Sequence, residues 1–345
     1  MRICQVLCGR GTGGLERHFV DLCNHLAERH EVIAIAHPEF RDRLSPRVDV
    51  EALDLSGWRY HPLLLARLYG LLRTHRPDIV HAQANKAAAM VGLLRPWLRA
   101  HCVATVHNLK RDTAMFRGYD RLIAVSRKVA EQFDQSQVDI IYNGIAPVAV
   151  AAEDGAHALR DAAGGMPGPV AVAVGRLVPA KGFDQLLRAW QGVAATLLIV
   201  GDGPERLRLE ALLRELNLGE RVRLCGFRRD VPALLAAADV MVMASRNEGF
   251  PYVLVEGLHA RRVVISTRVP GALDILPPEF LVEYGDPGQL AGAVNRVLAN
   301  LDAARRAFAP VWEFAARELT LARMVEKTEE VYRRVLGGPA RHERA

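Results

Sequence analysis

The feature that most constrains this chain is an alternation that occurs twice: short apolar runs separated by amphipathic helical stretches, with one Gly- and Pro-rich break between the two passes. In the first pass, Ile3 to Leu7, Val32 to Ala36, Ile79 to Ala82, Cys102 to Val106, Leu122 to Val125 and Ile140 to Tyr142 read as strands, with helices such as Leu15 to Glu28 between them. The break, Pro147 to Pro169, includes Gly164, Gly165, Pro167 and Gly168. The alternation then restarts with Val170 to Val174, Leu197 to Val200, Val222 to Leu224, Val240 to Met243 and Val263 to Ser266. Strands that alternate with helices form parallel, doubly wound sheets, so the fold class is α/β with two Rossmann-like domains in tandem. The expected boundaries are 1–148 for the first domain, 149–168 for a linker and 169–310 for the second. A helix over 311–336 carries Trp312, Phe314 and Tyr332 and is expected to cross back to the first domain, and 337–345 reads as a frayed tail. A length of 345 residues, half of them hydrophobic, supplies two substantial cores.

Ligands of such sheets bind beyond the carboxyl ends of the strands, and two sheets facing one another would leave a cleft between them. The chemistry-bearing residues fall where that rule puts them. After the first strand come Gly9, Gly11, Gly13 and Gly14, and a helix whose N-terminus suits anions or sugar hydroxyls. The spacing does not form the G-x-G-x-x-G fingerprint, which argues against a dinucleotide site. In the second domain, Gly175 and Arg176 end a strand and Lys181-Gly182 follows, two cations suited to a diphosphate leaving group. Gly201-Asp202-Gly203-Pro204 and Cys225-Gly226-Phe227 close later strands, the latter offering main chain to a nucleotide base. Ser245 to Pro251 forms a further strand-to-helix turn, and the helix after it holds Leu254 and Glu256.

Glu248 and Glu256 invite comparison with a glycosidase pair, whose carboxylates lie roughly 5 to 10 Å apart. Eight helical residues would span about 12 Å, which disfavours a hydrolase and suits two acceptors spaced along one ligand. No Asp-x-Asp stands at a strand end to clamp a metal diphosphate. Cys4, Cys8, Cys23, Cys102 and Cys225 are odd in number and lack zinc or disulfide spacing, so they read as reduced, buried thiols with no metal.

These motifs together resemble the retaining glycosyltransferases of the GT-B fold, family 4, over nearly the whole chain. The most diagnostic is E-x7-E, Glu248 to Glu256. Supporting it are Gly13-Gly14-Leu15-Glu16-Arg17, Val174-Gly175-Arg176-Leu177, Lys181-Gly182, Gly201-Asp202-Gly203-Pro204, Gly226-Phe227 and Tyr142-Asn143-Gly144-Ile145. The resemblance implies that Glu256 binds the ribose of a nucleotide-sugar, Glu248 lies against the donor sugar, and Arg176 and Lys181 neutralise the diphosphate. It also implies that Gly14 and the backbone of Gly249, Phe250 and Pro251 contact phosphate and sugar. His107, in Thr105-Val106-His107-Asn108, matches a histidine that in many relatives reaches the donor sugar; His81 and His259 have no comparable motif. The implied chemistry is metal-independent hexosyl transfer with retention, in which the nucleotide-sugar is a co-substrate and no cofactor is needed. UDP-hexose is the first expectation for the donor and GDP-mannose the second. Ala146 and Asp274 depart from the usual aspartate and glutamate, which bears on sugar identity more than on reaction type. The same residues would also serve a non-catalytic nucleotide-sugar-binding module, an epimerase or a phosphorylase of this fold.

The formal charge is +6, and the first 150 residues carry most of it, with 20 Lys and Arg against 15 Asp and Glu. The dispersed arginines and the lack of a recognition motif exclude nucleic acid as a partner. An anionic membrane or a glycan or lipid-linked acceptor fits, as in envelope polysaccharide or lipopolysaccharide core synthesis. Trp58 to Arg76, with Leu94 to Arg99, forms a basic aromatic segment suited to anionic lipid. The absence of a signal-peptide pattern and of a long apolar run predicts a cytoplasmic protein, peripheral on the inner membrane at most.

Overall fold

The structure, a computed structural model, describes residues 1–166 and 168–338. It contains two compact units: Met1–Gly144 together with the segment beginning at Leu321, and Ile145–Thr320.

The first unit is built on seven parallel strands: β1 Arg2–Leu7, β2 Glu31–Ala36, β3 Val48–Ala52, β4 Ile79–Gln83, β5 His101–Val106, β6 Arg121–Ala124 and β7 Val138–Ile140. Their order is β3-β2-β1-β4-β5-β6-β7. Ile3, Cys4, Val6 and Leu7 are all buried, as expected of a central parallel strand covered on both faces. β3 escaped the sequence reading because Asp49 and Glu51 interrupt its apolar positions at the sheet edge. The run expected at Ile140 to Tyr142 pairs two residues earlier, where Val138–Ile140 lie beside Leu122–Ala124 and Arg121 Nε donates to Asp139 at 2.7 Å.

The second unit holds six parallel strands: β8 Val170–Val174, β9 Thr196–Val200, β10 Val222–Gly226, β11 Val240–Met243, β12 Val263–Thr267 and β13 Leu281–Val282. Their order is β10-β9-β8-β11-β12-β13. In both sheets the strand order reverses direction beside the first strand of the unit, between β1 and β4 and between β8 and β11. Crevices for ligands open at such reversals.

Two expectations are corrected. Most of the expected linker over 149–168 is a helix, Ala152–Ala163, with Gly155, Ala158 and Ala162 buried. Its small residues allow close packing on the helix Val231–Ala237, where a Cβ on Gly155 would lie 3.3 Å from both Ala233 O and the Ala237 Cβ. Gly164 ends this helix at φ +57°. Pro167 lies outside the described residues.

The single helix expected over 311–336 is two, Leu301–Glu318 and Leu321–Leu336. Between them the backbone is diverted into an extended bridge, Thr320 beside Ile145, with Ile145 N donating to Leu319 O at 3.2 Å. Trp312 belongs to the second unit, where its Nε1 donates to Arg262 O. Leu321–Leu336 packs within the first unit through Leu321, Met324, Val325, Thr328, Val331 and Tyr332, a helical face three to four residues in period. The expected tail beyond Gly338 lies outside the described residues. Among the described residues no helix is long and apolar enough to cross a membrane.

Candidate active site

In the second unit the site is assembled at the reversal between β8 and β11. The turn after β9 presses on the end of β8: Gly201 sits at φ +141°, and a Cβ there would lie 1.9 Å from Gly175 O. Gly175 N donates to Val200 O and Leu177 N to Asp202 O, both at 2.9 Å, which fixes the Gly175-Arg176-Leu177 backbone. Arg176 is exposed and makes no ion pair among the described residues. Lys181 ends the tight turn Pro179–Lys181, and its stem lies against Gly175, whose Cβ would meet Lys181 Cε at 3.2 Å. Arg246 N donates to Ala180 O at 2.8 Å, tying the loop after β11 to the turn that carries Lys181.

That loop brings Glu248 to Lys181. The Lys181 ammonium donates to Glu248 Oε1, and Ser245 Oγ donates to the same oxygen at 3.2 Å. Glu248 Oε2 has no hydrogen-bond partner among the described residues. Both side chains are about one-fifth exposed, 20% and 18%. Lys181, expected at the diphosphate, and Glu248, expected at the donor sugar, therefore touch, and the Lys181 charge is partly offset by the carboxylate.

Gly249, Phe250 and Pro251 are buried, and Pro251 caps the helix Tyr252–His259. The Phe250 ring lies against Gly271, where a Cβ would come within 2.8 Å of it, so backbone is what this turn can offer. Leu254 is fully buried in the first turn of that helix. Glu256 is partly exposed in the second helical turn. Gly226 stands at φ +69° with its carbonyl accepting from Gly201 N at 2.8 Å, and Phe227 beyond it is 73% exposed.

In the first unit the corresponding reversal is between β1 and β4. Gly13 caps the helix Gly14–Leu26. The Glu16 carboxylate lies under the glycine turn, where a Cβ on Gly9 or Gly13 would meet one of its oxygens at 2.8 Å. An acid already sits against the positive end of this helix, so hydroxyls suit the turn better than phosphate. Glu39 accepts from Gly11 N, and Arg43 Nη1 donates to Gly11 O at 2.7 Å, holding the loop in place.

His107 ends β5. Its Nε2 bonds Gln83 Oε1 at 3.0 Å, and its ring meets that of His18 edge-on, centroids 4.8 Å apart. His18 Nδ1 donates to Asn143 Oδ1 at 3.1 Å. Burial pushes the His18 imidazolium down to about 4 and holds His107 well below the usual range, with neighbouring His18, His81 and Lys110 adding to the latter. Both rings are thus neutral at pH 7. Burial also lowers the Lys110 ammonium, three residues beyond His107.

His18, Gln83 and Lys110 were missed as candidates. The available signal was polar side chains within otherwise apolar strands, such as His81 and Gln83 in β4. Asn143, noted only within a motif, proves to be the partner of His18. The five cysteines are free and four are buried; burial raises the Cys8 thiol to about 12. His75, at the end of the helix Pro62–His75, lies 2.6 Å from Glu51 and 3.7 Å from Asp49 of β3, a cluster that includes none of these site residues.

Comparison with known proteins matches both halves of this arrangement. Residues 12–148 match the family model described as Glycosyltransferase Family 4, and residues 168–300 match that described as Glycosyl transferases group 1. The chain is 30% identical over 303 residues to the lipopolysaccharide core biosynthesis glycosyltransferase LpsD of Rhizobium meliloti, covering 83% of this chain and 84% of the relative. It is 28% identical over 300 residues to LpsE of the same organism, covering 84% and 86%. Among solved structures, Anabaena HepE in complex with UDP superposes with a TM-score of 0.84 at 21% identity, covering 97% of this chain and all of that one. WaaG, a glycosyltransferase involved in lipopolysaccharide biosynthesis, gives 0.72 at 17%, with coverage of 97% and 100%. The chain therefore belongs to glycosyltransferase family 4, with two parallel-sheet α/β domains of the GT-B type.

Proposed function

We propose that this glycosyltransferase moves a hexose, with retention of anomeric configuration and without a metal, from a nucleotide-diphosphate sugar to a glycan or lipid-linked acceptor. The observation that carries the reading is the Lys181–Glu248 pair against Gly175, the residue before exposed Arg176, at the β8/β11 reversal. Arg176, with the residual charge of Lys181, stabilises negative charge as the bond from the anomeric carbon to the diphosphate oxygen breaks. Glu248 Oε2 accepts from a sugar hydroxyl, Glu256 from the ribose, and the main chain at Gly226 and Gly249–Pro251 borders base and phosphate. The acceptor oxygen bonds the anomeric carbon on the face the phosphate leaves, and its proton passes to the departing phosphate oxygen. His107 and the glycine turn at Gly13 and Gly14 meet sugar hydroxyls.

UDP-hexose is the first donor to test, supported by the HepE structures with UDP and with UDP-glucose. Lipopolysaccharide core synthesis is the proposed setting, supported by LpsD and LpsE, and the cytoplasmic face of the inner membrane is the proposed location. Turnover of UDP-glucose that depends on a core-oligosaccharide acceptor, giving an α-linked product by proton NMR, is the expected result. A β-linked product would refute retention. Binding without turnover of any nucleotide-sugar would favour a non-catalytic module, and turnover without an acceptor would favour an epimerase.

Membrane contact rests on a separate patch. Trp58, Tyr60, Leu63, Leu93 and Trp97 are exposed, up to 67% for Trp97. They lie among Arg59, Arg67, Arg73, Arg95 and Arg99, a mixture suited to an anionic interface. Vesicles containing phosphatidylglycerol should sediment the protein and vesicles of phosphatidylcholine should not, and Trp58→Ala with Trp97→Ala should weaken binding several-fold. Equal binding to both vesicle types would sink the idea.

A further inference from the structure

A set of buried polar groups stands behind His107, and only Thr105 among them belongs to a motif. Gln5, His81, Gln83 and Thr105 are each at most 1% exposed, on the three central strands of the first unit. The register places Gln5 beside His81 and Gln83 beside Thr105. Tyr332, fully buried on the helix Leu321–Leu336, completes the set. Polar groups in such a place are costly unless every one is satisfied.

They are satisfied in one direction. Gln83 Nε2 donates to Gln5 Oε1 at 3.0 Å, so the other end of the Gln83 amide, Oε1, faces His107 and can only accept. Gln5 Nε2 donates to Tyr332 Oη at 2.9 Å and stands 3.4 Å from His81 Nδ1. Tyr332 Oη lies 2.6 Å from His81 Nδ1 and His81 Nε2 2.7 Å from Thr105 Oγ1; the hydroxyl that accepts from Gln5 is satisfied by donating to His81 Nδ1, which leaves Nε2 to donate to Thr105. Each bond points away from His107. Reversing either amide bond sets a donor against a donor unless both amides, the Tyr332 hydroxyl and both rings turn together. A neutral imidazole has a single ring proton. With that proton on Nε2, the Nδ1 of His107 is a lone pair, and it has no hydrogen-bond partner among the described residues.

We propose that Gln83, Gln5 and Tyr332 are positioning residues that hold His107 in its Nε2-protonated tautomer, so that Nδ1 accepts a hydrogen bond from a hydroxyl of the donor sugar. The proposal rests on the reading of His107 as a donor-site residue. It gives that residue a selective function. A lone pair held in place rewards a hydroxyl, which can donate, and repels an ether or an unprotonated phosphate oxygen. A tautomer free to exchange would accommodate either. The third anchor comes from the C-terminal helix, so the segment after Leu321 sets the chemistry of a residue more than 200 positions earlier.

The test is long-range proton–nitrogen NMR on the rings of His107 and His81 in the full-length nitrogen-labelled chain, without ligand, then with UDP and with UDP-glucose. The expected wild-type result is Nε2 protonated in both rings, with the His107 Nδ1 signal moved by UDP-glucose and not by UDP. In Tyr332→Phe the ring is kept and the far anchor lost, so the His107 nitrogen signals should move toward the average of two tautomers. The KM for UDP-glucose should rise by about tenfold, the scale of one net hydrogen bond. Gln83→Leu should give the same shift of the His107 signals and decides the matter if Tyr332→Phe does not fold. A proton on His107 Nδ1 in the wild type, His107 signals unmoved in the variants, or an Nδ1 signal indifferent to UDP-glucose would each overturn the proposal. The tautomers are read without donor. A locked tautomer in a chain that turns over no nucleotide-sugar would therefore refute the functional reading alone, and a wrong tautomer in an active enzyme would refute the lock alone.

Discussion

The two units solve the same problem, presenting polar groups at the reversal point of a parallel sheet, by opposite means. The second unit uses charge and glycine: Arg176, Lys181 and Glu248 stand on backbone held by turns that only a residue without Cβ can make. The first uses neutral groups in sequence, with His18, His81 and His107 held unprotonated by burial and joined by amides and hydroxyls. The difference matches what the proposed function asks of each unit. A diphosphate leaving group calls for cations, whereas sugar hydroxyls call for oriented donors and acceptors with little net charge.

The largest effect should follow from removing charge in the second unit. Arg176→Ala should lower turnover by roughly 10² to 10³, the scale for one preorganised donor to developing charge. A near-normal kcat would move the leaving-group role elsewhere. Gly201→Ala comes next, since the new methyl would lie 1.9 Å from Gly175 O at a φ of +141°. Chemical denaturation should show a loss of about 3 kcal/mol or more, confined to the second unit. A loss under 1 kcal/mol would mean the turn relaxes easily and does not fix Arg176.

Acid should act chiefly on the first unit. Burial lowers His18 to about 4 and His81 to about 3, against 6.5 for a free imidazole. The unfolded chain therefore takes up these protons first as pH falls. Their contribution is complete above 6.5, and it declines through pH 5 until the folded-state values are reached, by up to about 1.4 kcal/mol per pH unit for each ring. The second unit has no comparably buried histidine among the described residues. Hydrogen exchange between pH 7 and 4.5 should show first-unit amides losing protection earlier; parallel loss in both units would contradict the contrast. The smallest effect expected is at Glu329, 1% exposed on the C-terminal helix, with Arg333 at 2.8 Å and Arg29 and His30 at 3.2 Å. Glu329→Gln should cost about 1 to 2 kcal/mol in the first unit, by urea denaturation, and leave second-unit protection unchanged.

How much of this could be read from the chain follows the same division. The second unit was legible because its requirements are local: a glycine forced to positive φ, a cation one turn later, two glutamates eight positions apart. Lys181 meeting Glu248 was not, since the spacing fixes neither the turn nor which carboxylate it reaches. In the first unit every strand but β3 was legible, and so was the place of His107 at the end of β5. The hydrogen-bonded chain was hidden because residues 5, 81, 83, 105, 107 and 332 become neighbours only when β1 lies beside β4 and the last helix packs on their sheet. The expected linker failed for a related reason. Gly and Pro over Pro147 to Pro169 read as a break between domains, but small residues also serve a helix packed closely on its neighbour.

Donor binding in paired variants tests the account most directly. Thermal unfolding of the wild type and of Arg176→Ala would be compared across UDP-, GDP- and ADP-sugars at equal concentration. The account predicts that one nucleotide class, UDP first, stabilises the wild type, by about 2.7 kcal/mol at a hundred times its Kd, and that Arg176→Ala loses most of that gain. A wild type indifferent to every nucleotide-sugar, or a variant stabilised equally, would contradict it.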